Sequence, residues 1–230
     1  MVAAAKPVEQ PVAEHLCRSQ SLLSIDAFQL AVDRLGGGRG DGIHEELLIA
    51  WSAPARRYHT LQHLGECLTL AQAWGGALAQ AELAQLELAL WFHDAVYDTH
   101  ANDNESLSAA WARSALEQLG ISSLDRARVG QMVMATEHSK PMAEGDYLSD
   151  LLLDIDLSIL GAPSERFAEY EAQIREEYHW VGSTDYVAGR GKVLARFRRA
   201  ALGDPPTLYR TAHGRTLLAQ ARSNLATAPL

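Results

Sequence analysis

The chain is predicted to be all-α and to form a single domain. Apolar residues recur at helical spacing through most of its length, and no alternating apolar–polar run is long enough to make a convincing strand. Its 230 residues can build a sizeable core, and 47% hydrophobic with 21% charged residues is ordinary for a globular protein. There is no internal repeat and no low-complexity tract. The first twenty residues are rich in Ala, Pro and polar side chains and are expected to be disordered. The helical domain is expected over residues 21–222, with 223–230 frayed.

The elements follow from their start and stop signals. Ser24 is a candidate N-cap for a helix from Ile25 to Leu35. That helix stops in "GGGRGDG", Gly36 to Gly42, which lacks the Lys-Ser/Thr ending and the preceding strand of a phosphate-cradling loop; it is expected to be a flexible surface loop. A short helix from His44 to Trp51 is broken by Pro54. Longer helices are expected over Thr60–Trp74 and Gln80–Val96. Asn102 with Glu105 has capping-box spacing, and the helix it opens should end at Gly120. Further helices are expected at 123–138, 146–160, 164–180 and 184–201.

Composition excludes several classes of function. A net charge of −9 argues against nucleic acid as a partner, because phosphate neutralisation needs clustered Lys and Arg. A small phosphorylated substrate needs only a local cation and is not excluded. No run of about 18 apolar residues predicts a membrane span, and the N-terminus lacks the apolar stretch of a signal peptide. Cys17 and Cys67, the two cysteines, have no metal-ligand spacing and read as reduced thiols of a cytoplasmic protein.

One stretch resists this ordinary description. In "ALWFHDAVYD", Ala89 to Asp98, apolar side chains cover nearly every direction around the helix axis, which marks a buried helix. Yet it carries His93 and Asp94, and a buried carboxylate without a partner costs several kcal/mol, on the order of 1–3 or more. The two could satisfy each other or a helix end, but other ligand-type residues have matching placement. "RYHTLQHL" puts His59 and His63 four apart, on one face if the helix reaches back that far, with Cys67, Leu70, Ala71 and Trp74 continuing the stripe. In "DLLLDIDLSILG", Asp150, Asp154 and Ser158 fall on a polar face, whereas Asp156 falls inside the apolar arc of Leu148, Leu151, Leu152, Ile155, Ile159 and Leu160. Imidazole nitrogens with carboxylate oxygens suit a divalent cation, which would compensate Asp94 and Asp156 together. His138, in "TEHS", is either a further member or a histidine interacting with its helix end.

The ordered set His, His-Asp, Asp on successive helices resembles the HD superfamily of metal-dependent phosphohydrolases. More closely, "YHTLQHL", "WFHDAVYD", "NESLSA", "TEHS", "DIDLSILG", "IREEY" and "GRGKVL" resemble the motifs of a bacterial branch described as predicted metal-dependent HD phosphohydrolases, over roughly Tyr58 to Leu194. Thr60 stands where that pattern has Asn, and Thr can still cap a helix.

The resemblance implies an HD-type helical bundle with His63, His93, Asp94 and Asp156 as metal ligands. His59 is then either a further ligand, to the same ion or a second one, or a phosphate contact. His59, Asp94 and His138 are the catalytic candidates. Arg175 and Arg190 are candidates for neutralising substrate phosphate, or else ordinary ion-pair arginines. The ion would be manganese, iron, cobalt, nickel, zinc or magnesium, and the substrate a small phosphate ester such as a nucleotide, attacked by metal-activated water. Two alternatives share these residues: a metal- and nucleotide-binding sensor without turnover, and a structural helical protein whose buried polar groups satisfy one another.

Overall fold

The computed structural model describes residues 21–137 and 146–228, and among them every regular element is helical. The expected N-terminal disorder, Cys17 and His138 lie outside the described residues. The helices are α1 (Ile25–Arg34), α2 (Asp41–Trp51), α3 (Leu61–Trp74), α4 (Gln80–Phe92), α5 (Asn104–Gln118), α6 (Ser123–Ala135), α7 (Tyr147–Asp156), α8 (Ser164–Glu177), α9 (Ser183–Leu202), α10 (Ala212–Arg215) and α11 (Leu218–Thr227). None is long and apolar enough to cross a membrane.

Local chemistry sets most boundaries. Ser24 Oγ accepts from Ala27 N and opens α1. Gly36 and Gly120 take positive φ, 73° and 74°, and end α1 and α5. At both ends two backbone N–H groups fold back on the last turn: Gly36 and Gly37 donate to Asp33 and Val32, Gly120 and Ile121 to Glu117 and Leu116. The glycine-rich segment after α1 is tied down rather than loose. Gln29 accepts from Gly40 N at 2.9 Å and donates to Gly38 O at 3.0 Å, while Gly38 N reaches Leu119 O at 2.8 Å. The capping box expected at Asn102 does not form. α5 starts at Asn104, whose side chain instead bonds both backbone groups of Asp98.

Two apolar cores share the molecule. The first is built by α1 to α7 around Phe28, Trp51, Leu86, Leu90 and Trp91; α4 contributes from all sides. The second gathers Tyr58, Phe167, Tyr170, Ile174, Leu194 and Leu225 from α8, α9, α11 and the segment before α3. α7 belongs to both: Leu151, Leu152 and Ile155 enter the first core, and Leu157, Ile159 and Leu160, in the 3-10 turn that follows, enter the second. Asp156 sits at the crossing. The chain end expected to fray from residue 223 is instead helical to Thr227, because Asn224 and Leu225 are buried and the Asn224 amide donates to Leu160 O and Ala162 O.

The polar face assigned to α7 is half right. Asp150 is partly exposed and pairs with Arg210 at 2.7 Å. Asp154 is 1% exposed. It anchors the segment that leads into α10, accepting from Arg210 N at 2.9 Å, Thr211 N at 2.7 Å and Thr211 Oγ1 at 2.7 Å, and a Cβ on Gly214 would run into its carboxylate. Burial raises its pKa, against the pull of those donors.

Replacing Asp154 with Ala leaves these donors without their acceptor, and the unfolding free energy should fall by about 1–3 kcal/mol. A lower urea midpoint at unchanged slope checks this.

Candidate metal centre

α4 stops at Phe92 rather than running to Val96, so His93 and Asp94 occupy the turn that follows. A helix leaves its last carbonyls without intrahelical partners. Here Leu90 O accepts from His93 Nδ1 at 2.7 Å, Trp91 O from Trp51 Nε1 at 2.9 Å and Phe92 O from Ala95 N at 3.1 Å. Beyond them the buried Arg56 guanidinium reaches Asp94 O and Ala95 O, both at 2.8 Å, and His59 O at 3.0 Å. Its Cζ lies 5.2 Å from the Trp51 ring centroid and 5.5 Å from that of Tyr97, and burial lowers its pKa. An arginine at a helix C-terminus also meets the negative end of the helix dipole.

His63 lies in the first turn of α3, which Thr60 caps by accepting from Gln62 N. His59 precedes that cap in a tight turn, closed by Thr60 N donating to Tyr58 O at 2.7 Å, so the two histidines do not share a helical face as the spacing suggested. His59 nevertheless turns toward the site, with Nε2 3.9 Å from Asp94 Oδ2.

Four ligand atoms converge: His63 Nε2, His93 Nε2, Asp94 Oδ2 and Asp156 Oδ1, all within 4.8 Å of one another. His63 and His93 stand 3.2 Å apart, His63 and Asp156 3.3 Å, His93 and Asp94 3.2 Å, His93 and Asp156 3.5 Å. Ligands about 2.1 Å from one tetrahedral ion lie roughly 3.4 Å apart, so these spacings are those of a coordination shell. The chemistry fits as well. His93 donates Nδ1–H to a backbone carbonyl, which leaves Nε2 bare in the neutral ring, the usual arrangement of a histidine ligand. Burial opposes charge on His93, yet Asp94 and Asp156 raise its pKa well above the imidazole range. Burial pushes Asp94 up, but His93 and His59 outweigh it and hold the carboxyl low. The cluster attracts positive charge, and a divalent ion competes for that place with a proton. The four residues can hold a metal ion. Cys67 Sγ lies 3.7 Å behind His63 Nδ1, but burial keeps it a neutral thiol.

A cavity of about 260 Å³ opens over the cluster, with Asp94, Asp156, His59, Tyr97, Arg190 and Arg196 in its wall. Arg190 is held by Glu171 and lies 5.0 Å over the Tyr170 ring. Arg175, paired with Arg190 from sequence, is absent from this wall: it donates to Tyr178 O and Val181 O, stacks on Tyr186, and lines a second cavity of about 450 Å³, which Arg190 also borders. Arg196 was not singled out from sequence.

Glu177 was missed too. Oε1 accepts from the backbone N–H of Arg57, Tyr58 and His59 at 2.8–3.0 Å; Oε2 accepts from His59 Nδ1 at 2.8 Å and Tyr97 OH at 3.1 Å. Burial pushes its pKa up, but His59 and these amides outweigh it and hold the carboxyl at about 2. A signal existed: Glu177 continues the apolar stripe Phe167, Tyr170, Ile174 of α8, as Asp156 interrupts that of α7.

Metal content should follow Asp94 and Asp156 and ignore Asp154. Asp94→Ala and Asp156→Asn should lose the ion by elemental analysis, and Asp154→Asn should keep it. Retention of full metal by Asp94→Ala would remove it from the ligand set. Glu177 has its own signature. An unfolded Glu titrates near about 4.3, and the folded carboxyl at about 2. The folded state therefore favours the charged form, and the stability this gives is complete above the unfolded value and lost as pH falls through the folded one. The gap in unfolding free energy between wild type and Glu177→Gln should shrink by about 2–3 kcal/mol between pH 6 and pH 2, as denaturant titrations would show.

Comparison with known protein families, curated proteins and solved structures finds no match to this chain.

Proposed function

We propose that this chain is a metal-dependent phosphohydrolase of the HD superfamily, acting on a small phosphate ester such as a nucleotide. One observation carries this reading. Residues from three separate segments, His63, the pair His93-Asp94, and Asp156, present four ligand atoms to one point in the order the resemblance implies, beneath a cavity walled by two arginines. The mixed nitrogen and oxygen donors favour manganese, iron, cobalt, nickel or zinc, with magnesium as the harder alternative. Bound there, the ion would lower the pKa of a water and neutralise phosphoryl oxygens.

The chain's own residues bind and orient. Arg190, fixed by Glu171 and by the Tyr170 ring, and Arg196 place positive charge on the side of the cavity that a phosphoryl group would occupy. His59 Nε2 faces the same space beside Asp94. Tyr97 and Tyr178 complete the wall on that side. The surplus of negative charge over the whole chain fits a small substrate better than a nucleic acid, and the free buried thiol of Cys67 suits the cytoplasm.

Hydrolysis of phosphoesters by the purified chain should vanish with chelator and return with a divalent ion. Turnover that survives complete metal removal would sink the mechanism. Arg190→Ala should lower kcat/KM by about 1–3 kcal/mol, roughly 5- to 150-fold, at unchanged metal content. If a broad phosphoester panel shows no turnover with any of these metals while one nucleotide binds tightly, the sensor replaces the enzyme.

A further inference from the structure

Glu177 has no place on the cavity wall, and its side chain is wholly buried. It nonetheless accepts five hydrogen bonds. Three backbone amides on Oε1 prevent it from rotating, which aims Oε2 at His59 Nδ1. The His59 ring is also gripped on its faces: Tyr97 stacks on it with centroids 4.0 Å apart, and Tyr58 meets it edge-on at 4.9 Å. Tyr97 OH donates to the same Oε2.

The proton on His59 follows from this arrangement. An ionised carboxylate only accepts, so Nδ1 must donate. In the neutral ring Nε2 then carries no proton and is an acceptor. It faces Asp94 Oδ2 across 3.9 Å, too far for a direct hydrogen bond and directed into the cavity.

We propose that Glu177 is a positioning residue that fixes the tautomer and orientation of His59, so that Nε2 presents a bare lone pair to a water or substrate hydroxyl in the cavity. This rests on the cavity being where the phosphate ester reacts. Glu177 itself touches neither substrate nor ion. His59 is then an acceptor beside the four ligands rather than a fifth member of their set.

Glu177→Gln tests the clamp because it keeps the shape and has one oxygen in place of two. With that oxygen held by the three amides, the amide NH₂ faces Nδ1, which must now accept, and the ring proton moves to Nε2. The experiment uses the full-length chain with ¹⁵N-labelled histidine, metal-free and zinc-loaded, recorded with the rings neutral. Wild type should show His59 protonated at Nδ1, and Glu177→Gln should show it protonated at Nε2 with the same zinc content. With p-nitrophenyl phosphate as probe, kcat should fall on the order of 10- to 100-fold, with KM moved less. In a His59→Ala background Glu177→Gln should cause no further loss, because the two act as one unit. An Nε2–H tautomer in wild type overturns the proposal whether or not the variant folds. So does an unchanged tautomer in folded Glu177→Gln, an undiminished effect in the His59→Ala background, or zinc loss in proportion to kcat. If wild type hydrolyses no phosphoester, the hydrolase reading fails alone, and the ring nitrogens still decide the clamp.

Discussion

A buried carboxylate must be met by donors, and here one carboxylate ties the two halves of the molecule together. Glu177 ends α8, a helix of the second core, and its acceptor sites are filled by the segment that leads into α3 of the first. An unpaired charge at that depth would cost several kcal/mol on the order of the penalties known for buried ions. Five donors remove that penalty, and in doing so they set the direction of residues 57–59. Tyr58 is thereby laid against His63 on one side and Tyr170 on the other, with centroids 4.7 and 4.5 Å away. The first ligand helix therefore starts where the second core dictates.

The same need for partners shapes the other side of the site. His93 and Asp94 follow α4 where backbone carbonyls lose their helical donors. A buried Trp51 indole, the His93 ring itself and Arg56 supply new ones. Arg56 connects the two sides, since its guanidinium bonds the carbonyls of His59, Asp94 and Ala95 together. A ligand set has little use unless its atoms are held to within tenths of an ångström, and side chains locked by backbone hydrogen bonds provide that rigidity. Asp156 obtains it differently, at the junction where α7 tightens into a 3-10 turn between the cores.

Sequence alone determined the helical class, the helix stops at Gly36 and Gly120, the caps at Ser24 and Thr60, and the four converging residues. Each left a one-dimensional trace: a glycine where φ is positive, a hydroxyl before a helix, a charge inside an apolar stripe. His93, Asp94 and Asp156 stood out because polar residues at buried positions break a periodicity that the chain otherwise keeps, and the resemblance to the HD motifs singled out His63 rather than His59 beside them. Asp154 was misplaced because the segment that covers it, Arg210 and Thr211, lies more than fifty residues away and no pattern within α7 records it. Periodicity reports burial only where the covering element is the main core. Arg175 and Arg190 looked alike in sequence, yet only Arg190 reaches the cavity over the cluster, while Arg175 is held by the carbonyls of Tyr178 and Val181. The placement of His59 ahead of its helix, its grip by Glu177 and the passage of Arg56 into the interior were settled by tertiary structure alone. Hydrogen bonds of that kind join residues distant along the chain, and an amino-acid sequence shows which groups need partners without showing which partners the fold will bring.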